Sequence, residues 1–403
     1  MMKKQRSFIL ILFIALIASS GPELNARSVK VPGVIVNYIP ASTKIYIGSP
    51  SICILPNGDY IASHDHFGPG STEFTQGLTT VYKSSDRGKS WKKISEIHGQ
   101  FWSNLFVHKN VLYIMGPSKH HGNLIIRRST DNGMTWSEAA DSTTGLLRAG
   151  EYHTAPVPMV IHNGRLWRAI EYAKSFTTEW GKRYSAMVIS APLEADLLNA
   201  ASWTATNFLP CDTTYLDGKF RAWLEGNAVV TPEGKVVDFL RVATSEKGRD
   251  LAAIVNISDD GLTASFDPSE GFIDFVGGAR KFSIRYDEKS KLYWTIANMI
   301  TDGHSDMDAG AVRNKLVLES SSDLKNWKIN KVLLYNPDVK KHGFQYVDWQ
   351  FDGQDIIFLS RTAFDDQFGG ADSYHNANYL TFHRIKNFRN SSTIISVKNP
   401  SPQ

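Results

Sequence analysis

The chain carries only two cysteines, Cys53 and Cys211. That excludes a disulfide-stapled scaffold and the usual Cys-rich structural zinc site, and leaves the two to pair or to stay buried thiols. No run of Lys or Arg follows the first six residues, and a formal net charge of +4 over 403 residues is no footprint for nucleic acid. Convincing amphipathic helices are also missing; Glu194 to Ala201 reads as a short helical insertion. The one extended apolar run, Phe8 to Ala18, is too short for a comfortable membrane span. It follows Lys3, Lys4 and Arg6 and leads into Ala18-Ser19-Ser20-Gly21, with a second small-residue cleavage point at Ala26. Residues 1–26 therefore read as a signal peptide. A secreted or periplasmic monomer is expected, with no membrane or nucleic-acid partner.

What the chain has is repetition. An apolar run, a tight turn, a second apolar run, a loop, a third strand and a turn with Trp recur in six units, roughly 49–98, 100–146, 153–212, 222–272, 279–337 and 343–395. Asn57-Gly58, Asn163-Gly164, Glu233-Gly234 and Asp352-Gly353 mark hairpins between the first two strands of a unit. His108-Lys109-Asn110 and Asp287-Glu288-Lys289 take that place in two others. Such a period suits an all-β propeller of four-stranded antiparallel blades, here a single domain over 28–397. Segment 28–47 is β-like and can complete the last blade; a seventh blade, if there is one, comes from 28–47 or from 203–221. Ten Trp and fifteen Tyr supply large faces for packing between blades.

The most specific motif is S-x-D-x-G-x-x-W, complete at Ser84–Trp91 and Ser129–Trp136 and degraded at Ser258–Gly261 and Ser321–Trp327. Its Asp accepts backbone N–H bonds within a turn, its Gly supplies a permissive φ, and its Trp packs the turn down. These are Asp boxes, and on them the chain resembles the sialidase-like, Asp-box (BNR-repeat) β-propeller superfamily. The boxes are structural; chemistry belongs on the opposite face. If the first strand of each blade is innermost and the second returns antiparallel, strand-one starts and strand-two ends share one face. Starts offer Gln100, Trp102, Tyr152, His153, Arg221, Trp223, Glu225, Lys281, Gln345, Tyr346 and Asp348. Ends offer His64, Asp65, His66, His120, His121, Glu171, Arg241, Asn298 and Arg361. Acids, imidazoles, aromatic platforms and cations at one mouth are the composition of a glycan site.

True sialidases carry an Arg-Ile-Pro motif on the first blade, an arginine triad and a Tyr–Glu nucleophile pair. Here the first blade reads Ser49-Pro50-Ser51-Ile52-Cys53-Ile54 and lacks that arginine. Other stretches, among them Ala62–Pro69, His162–Arg168, Tyr346–Trp349 and Ser360–Asp366, resemble a branch holding rhamnosyl-glucuronate α-L-rhamnosidases and ulvan-type lyases. That resemblance implies an exo-hydrolase releasing rhamnose from a uronic acid, with His64 as the single catalytic histidine. A uronate lyase, a sialidase and a non-catalytic glycan-binding propeller are the alternatives. In the lyase, His121 or His153 with Tyr152, and Arg221 or Arg241, supply base, acid and cation. The expected catalytic set is His64, Glu171, Glu225, His153 and Tyr152. The expected substrate-binding set is His66, Trp102, His121, Arg221, Trp223, Arg241, Arg285, Gln345, Asp348 and Arg361, the arginines holding a carboxylate. His120, His121 and His153 could serve as metal ligands, but no usable three-ligand spacing is evident, so neither a metal nor another cofactor is expected. The expected partner is an oligo- or polysaccharide containing uronic acid.

Overall fold

A computed structural model describes residues 30–390. The leader expected at 1–26 and the outermost residues of the expected domain, 28–29 and 391–397, lie outside them. Within the described residues the sheets form six blades around an axle, which settles the number at six rather than seven. Blade 1 consists of Tyr46–Ile54, Tyr60–Phe67, Leu78–Ser84 and Lys92–His98. Blade 2 consists of Asn104–His108, Val111–Pro117, Leu124–Ser129 and Leu146–Arg148. In blade 3 the inner strand is broken into Tyr152–His153 and Val160–His162, followed by Arg165–Tyr172, Ser185–Pro192 and Thr204–Ala205. Blade 4 runs through Phe220–Val230, Val236–Thr244 and Leu251–Ile257, with Ala264–Ser265 and Phe272–Asp274 both pairing on its third strand. Blade 5 is Ile284–Asp287, Leu292–Asn298, Lys315–Ser321 and Trp327–Tyr335.

Blade 6 closes the ring. Its strands Gly343–Asp352, Asp355–Ala363 and Tyr379–Ile385 take Val34–Tyr38, from the start of the propeller, as their outer partner. The segment that looks β-like at the sequence level thus completes the last blade and leaves no open ring edge. Among the described residues helix is confined to short pieces. The expected insertion at 194–201 yields turns and the 3-10 helix Ala200–Ser202. Cys53 and Cys211 remain free thiols.

Aromatic and branched side chains fill the wedges between blades. Trp167, Phe220, Trp223 and Leu240 pack blade 3 against blade 4, and Trp294, Phe344, Trp349 and Phe358 pack blade 5 against blade 6. Each such burial contributes roughly 1.5–3 kcal/mol before entropy is counted. The Asp boxes staple the wedges from one face. In the first, Asp86 accepts from the Ser90 amide at 2.9 Å and the Ser84 hydroxyl at 2.8 Å. Gly88 stands at φ +87°, and a Cβ there would lie 2.1 Å from the Phe382 ring of blade 6. The second box repeats this around Asp131, with Thr135 donating at 2.9 Å.

Candidate active site

A four-stranded meander puts the loops between its second and third strands at the end opposite the Asp boxes. All six of those loops reach one cavity of about 440 Å³. Phe67, Gly68 and Ser71 of blade 1, His120 of blade 2, Trp180 of blade 3, Glu246 and Arg249 of blade 4, Asp308, Gly310 and Arg313 of blade 5 and Tyr374 and His375 of blade 6 line it. Its floor is made by the inner strands. Three of these, in blades 1, 4 and 6, carry a register shift where they pass the cavity: between Ile47 and Pro50, Leu224 and Asn227, and Gln345 and Asp348. Bulges re-aim side chains, and here Ser49, Glu225 and Tyr346 are the residues turned into the cavity.

Two of these residues pay for their aim in backbone strain. Glu225 has φ +56° and Tyr346 has φ +54°; Trp102 and His121, at the same mouth, have φ +44° and φ +52°. Non-glycine residues avoid this region unless the surroundings impose it, at a cost of order 1–3 kcal/mol each. The Glu225 bulge is held by its neighbours. The Gly226 amide donates to Glu171 Oε1 at 3.1 Å, and a Cβ at Gly226 would lie 2.1 Å from Asp238.

One wall of the cavity is cationic. Arg241, Arg313 and Arg361 all line it around Tyr346. The Arg313 and Arg361 guanidinium carbons stand 5.4 and 5.0 Å from the Tyr346 ring centre, and Arg361 also covers Phe67 at 4.2 Å. Arg241 donates to Glu225 Oε2 at 2.8 Å and to the Ala279 carbonyl at 2.9 Å. Burial alone would raise the Glu225 carboxyl, but the charges of Arg241, His153 and Arg313 hold it below the usual carboxylate range. Gln345 lies under this wall and fixes Arg313, accepting from Nη1 at 2.6 Å.

Asp65 faces the same space with the opposite protonation. Burial pushes its carboxyl up to about 7, only partly offset by Arg361. Oδ1 accepts from the Ser49 amide at 3.1 Å, while Oδ2 has no protein partner. A buried carboxyl raised this far holds its proton near neutrality and can give it up there. The remaining wall is aromatic, made of Trp102, His120, His153 and Trp180. His153 Nδ1 lies 2.7 Å from Glu171 Oε2. Burial pushes His120 down to about 4 and His121 to about 3.

Of the residues anticipated from sequence, Trp102, His153, Glu225, Arg241 and Arg361 meet in this cavity. Others support it from behind: Glu171 under His153, Gln345 under Arg313, and His121 stacked on His120 at 4.5 Å. The rest need correction. His64 lies at the seam of blades 1 and 6, with Nδ1 2.9 Å from the Asp65 carbonyl and Nε2 2.9 Å from Asn37 Nδ2. Consecutive strand residues point to opposite faces, so only one of His64 and Asp65 can reach the cavity, and it is Asp65. His66 bonds Thr80 at 2.7 Å outside the cavity. Tyr152 is buried with Arg148 donating to its hydroxyl at 3.0 Å. Trp223 belongs to the core between blades 3 and 4, and Arg221 is exposed and donates to the Gly218 carbonyl at 2.8 Å. Arg285 and Asp348 form an ion pair at 3.4 Å outside the lining of this cavity, where Asp348 also takes the Ser51 hydroxyl at 2.8 Å.

Sequence reasoning placed Asp65 and Tyr346 at this mouth without assigning them a role, weighed His120 only as a metal ligand, and missed Arg313, Trp180, Tyr374 and His375 altogether. The last four sit on or beside the loops between second and third strands, which a reading limited to strand ends passes over.

The architecture is that of a six-bladed β-propeller. Among solved structures, the chain superimposes on a Penicillium chrysogenum α-L-arabinanase complexed with arabinobiose at TM-score 0.55 and 14% identity, covering 90% of this chain and 99% of that one. A Hadza microbial sialidase matches at TM-score 0.58 and 15% identity, over 88% of this chain and 68% of that one. A Fusarium graminearum α-L-arabinofuranosidase with arabinobiose matches at 0.52 and 12%, over 88% and 96%. At these identities the likeness establishes the fold. No family profile and no curated protein matches the sequence. The neighbours are arabinan-directed enzymes and sialidases, and with six blades and a buried His64 the rhamnosidase branch gains no support.

Proposed function

We propose that this propeller is a glycoside hydrolase acting on a terminal sugar that bears a carboxylate, through a tyrosyl covalent intermediate. The observation that carries the reading is the convergence of Arg241, Arg313 and Arg361 on one wall, with Tyr346 among them and Asp65 on the same cavity. Three buried guanidiniums against one partnered carboxylate, Glu225, leave positive charge for an anionic ligand, and planar forks suit a carboxylate. The Arg-Ile-Pro arginine missing from blade 1 has a replacement in Arg361 of blade 6.

In this scheme the arginines seat the sugar carboxylate and the anomeric carbon faces the Tyr346 hydroxyl. Glu225, on the same cavity as Tyr346 and kept ionised by Arg241, takes the phenolic proton as the C–O bond to tyrosine forms. The Asp65 carboxyl gives its proton to the departing glycosidic oxygen. Water then attacks the tyrosyl glycoside, Asp65 taking the water proton and Glu225 returning its own to the phenolate. Tyrosine is a known departure from the two-carboxylate scheme, and it spares an anionic substrate the approach of an anionic nucleophile.

The test is a panel of chromogenic glycosides: a sialoside, a uronide and a neutral α-L-arabinofuranoside. Hydrolysis of a carboxylate-bearing member alone supports the reading; turnover of the neutral furanoside alone defeats it. A second reading, elimination from a uronate, has one observation in its favour: His153, backed by Glu171 at 2.7 Å, lines the cavity that holds the arginines. An unsaturated uronate product, in place of a hydrolysed one, would select it.

A further inference from the structure

Beside the arginine wall lies a second group that the hydrolytic scheme does not use. Glu73, on the loop after the second strand of blade 1, meets His120 and His121 of blade 2, and one ligand atom from each falls within 4.8 Å of the others. We infer that Glu73, His120 and His121 form a binding site for one divalent transition-metal ion of the zinc type at the cavity rim.

Four features support it. Two imidazoles and one carboxylate are a donor set suited to zinc, and three protein ligands leave a position open. His121 is oriented from behind, because its Nε2 lies 3.0 Å from the Tyr184 hydroxyl. A partner on one ring nitrogen is what fixes a metal-ligating histidine and leaves the other to the ion. His121 Nδ1 and the Glu73 carboxylate stand in direct contact; a proton bridges them when no ion is bound, and an ion would take its place once Nε2–H donates to Tyr184.

The local charge agrees. Arg183 reaches Glu73 at 2.5 Å, yet its other nitrogen is taken by Glu151 at 2.6 Å. One guanidinium between two carboxylates leaves one net negative charge for a cation. His120 is held by stacking on His121 and edge-on by Trp102 at 4.7 Å, and it lines the cavity. An ion on these ligands would therefore present its open position to ligand oxygens in the cavity, a sugar hydroxyl pair being the matching chemistry.

The experiment is metal titration of the chelator-treated full-length protein, by calorimetry with Zn2+ and by visible absorption with Co2+. One equivalent should bind, with a tetrahedral-type Co2+ spectrum. His121→Ala and His120→Ala should abolish the spectrum. Glu73→Gln, on a half-exposed loop where folding is not at stake, should weaken Zn2+ binding at least tenfold. Tyr184→Phe should weaken it about 10–100-fold while keeping stoichiometry. Asp65→Asn should bind metal as the parent does, so the site stands or falls apart from the hydrolytic reading. Absence of stoichiometric binding, or binding indifferent to Glu73→Gln and His120→Ala together, overturns the inference.

Discussion

The two faces of the wheel use the same unusual backbone conformation for opposite ends. On the Asp-box face, left-handed φ falls within tight turns, on Gly58, Gly88, Gly133, Gly234 and Gly353 with Asn110, Asn132 and Asn163, and on the hairpin and box residues Arg87, Lys109, Lys291 and Leu324. On the cavity face, beside loop glycines such as Gly68, Gly181 and Gly248, it falls to Trp102, His121, Glu225 and Tyr346, whose side chains make it costly. Turn chemistry explains the first set without reference to function. The second has no local explanation, and what those residues share is the mouth at which they gather. Strain at the cavity is the outlier from which a functional hypothesis can be drawn. The faces should therefore answer substitution in opposite ways: the cavity face in activity with little change in stability, the box face in stability with little change in activity.

The largest effect belongs to Tyr346→Phe. It keeps the bulge and the ring between Arg313 and Arg361 but removes the nucleophile. Hydrolysis of the preferred glycoside should fall by about 10³-fold or more in kcat/KM, with the melting temperature unchanged. Parent-like turnover would end the tyrosyl scheme and with it the contrast between the faces.

Next comes Asp65→Asn, at about 10²–10⁴-fold on a substrate with a poor leaving group and much less on an activated one. The parent needs the protonated carboxyl, so its kcat/KM should fall as pH rises through about 7. The variant should lose that limb. Stability carries the same sign. The carboxyl is raised from 3.8 to about 7 on folding, so the native state binds the extra proton and stability declines as pH climbs across that interval. Asp65→Asn should remove this decline in a denaturation series.

Arg361→Met should cost about 10²-fold in kcat/KM, mainly through KM, and only for the carboxylate-bearing substrate. Equal losses on a neutral glycoside would show that Arg361 supports the fold around Phe67 rather than the substrate.

These predictions also mark how far the sequence reaches. Six units, their hairpin turns and the Asp boxes were legible because Gly, Asn and Asp declare turns locally. Closure through Val34–Tyr38 was legible from β-pattern alone. The choice between neighbours such as His64 and Asp65 was not, because strand alternation fixes that they diverge and not which faces the axle. Nor were Trp223, Glu225, Tyr346 and Asp348 separable, since bulges break the alternation and a bulge built on Glu or Tyr leaves no glycine to announce it. Arg313 was hidden by distance: it enters from a loop whose course depends on the next blade, through Gln345.

The smallest effects test the box face, where two glycines of near-equal φ differ in their surroundings. Gly88 stands at +87° with a prospective Cβ 2.1 Å from Phe382, whereas Gly234 stands at +77° with nothing within 4 Å. Gly88→Ala adds overpacking to strain and should destabilise by roughly 2–4 kcal/mol. Gly234→Ala bears the strain alone, about 1–2 kcal/mol. Gly234→Asn should cost less still, because Asn tolerates the left-handed region. Folded protein of all three should hydrolyse substrate as the parent does. If Gly88→Ala and Gly234→Ala lose equal stability in denaturant titrations, the box does not wedge blade 1 against blade 6, and its glycine serves the turn alone.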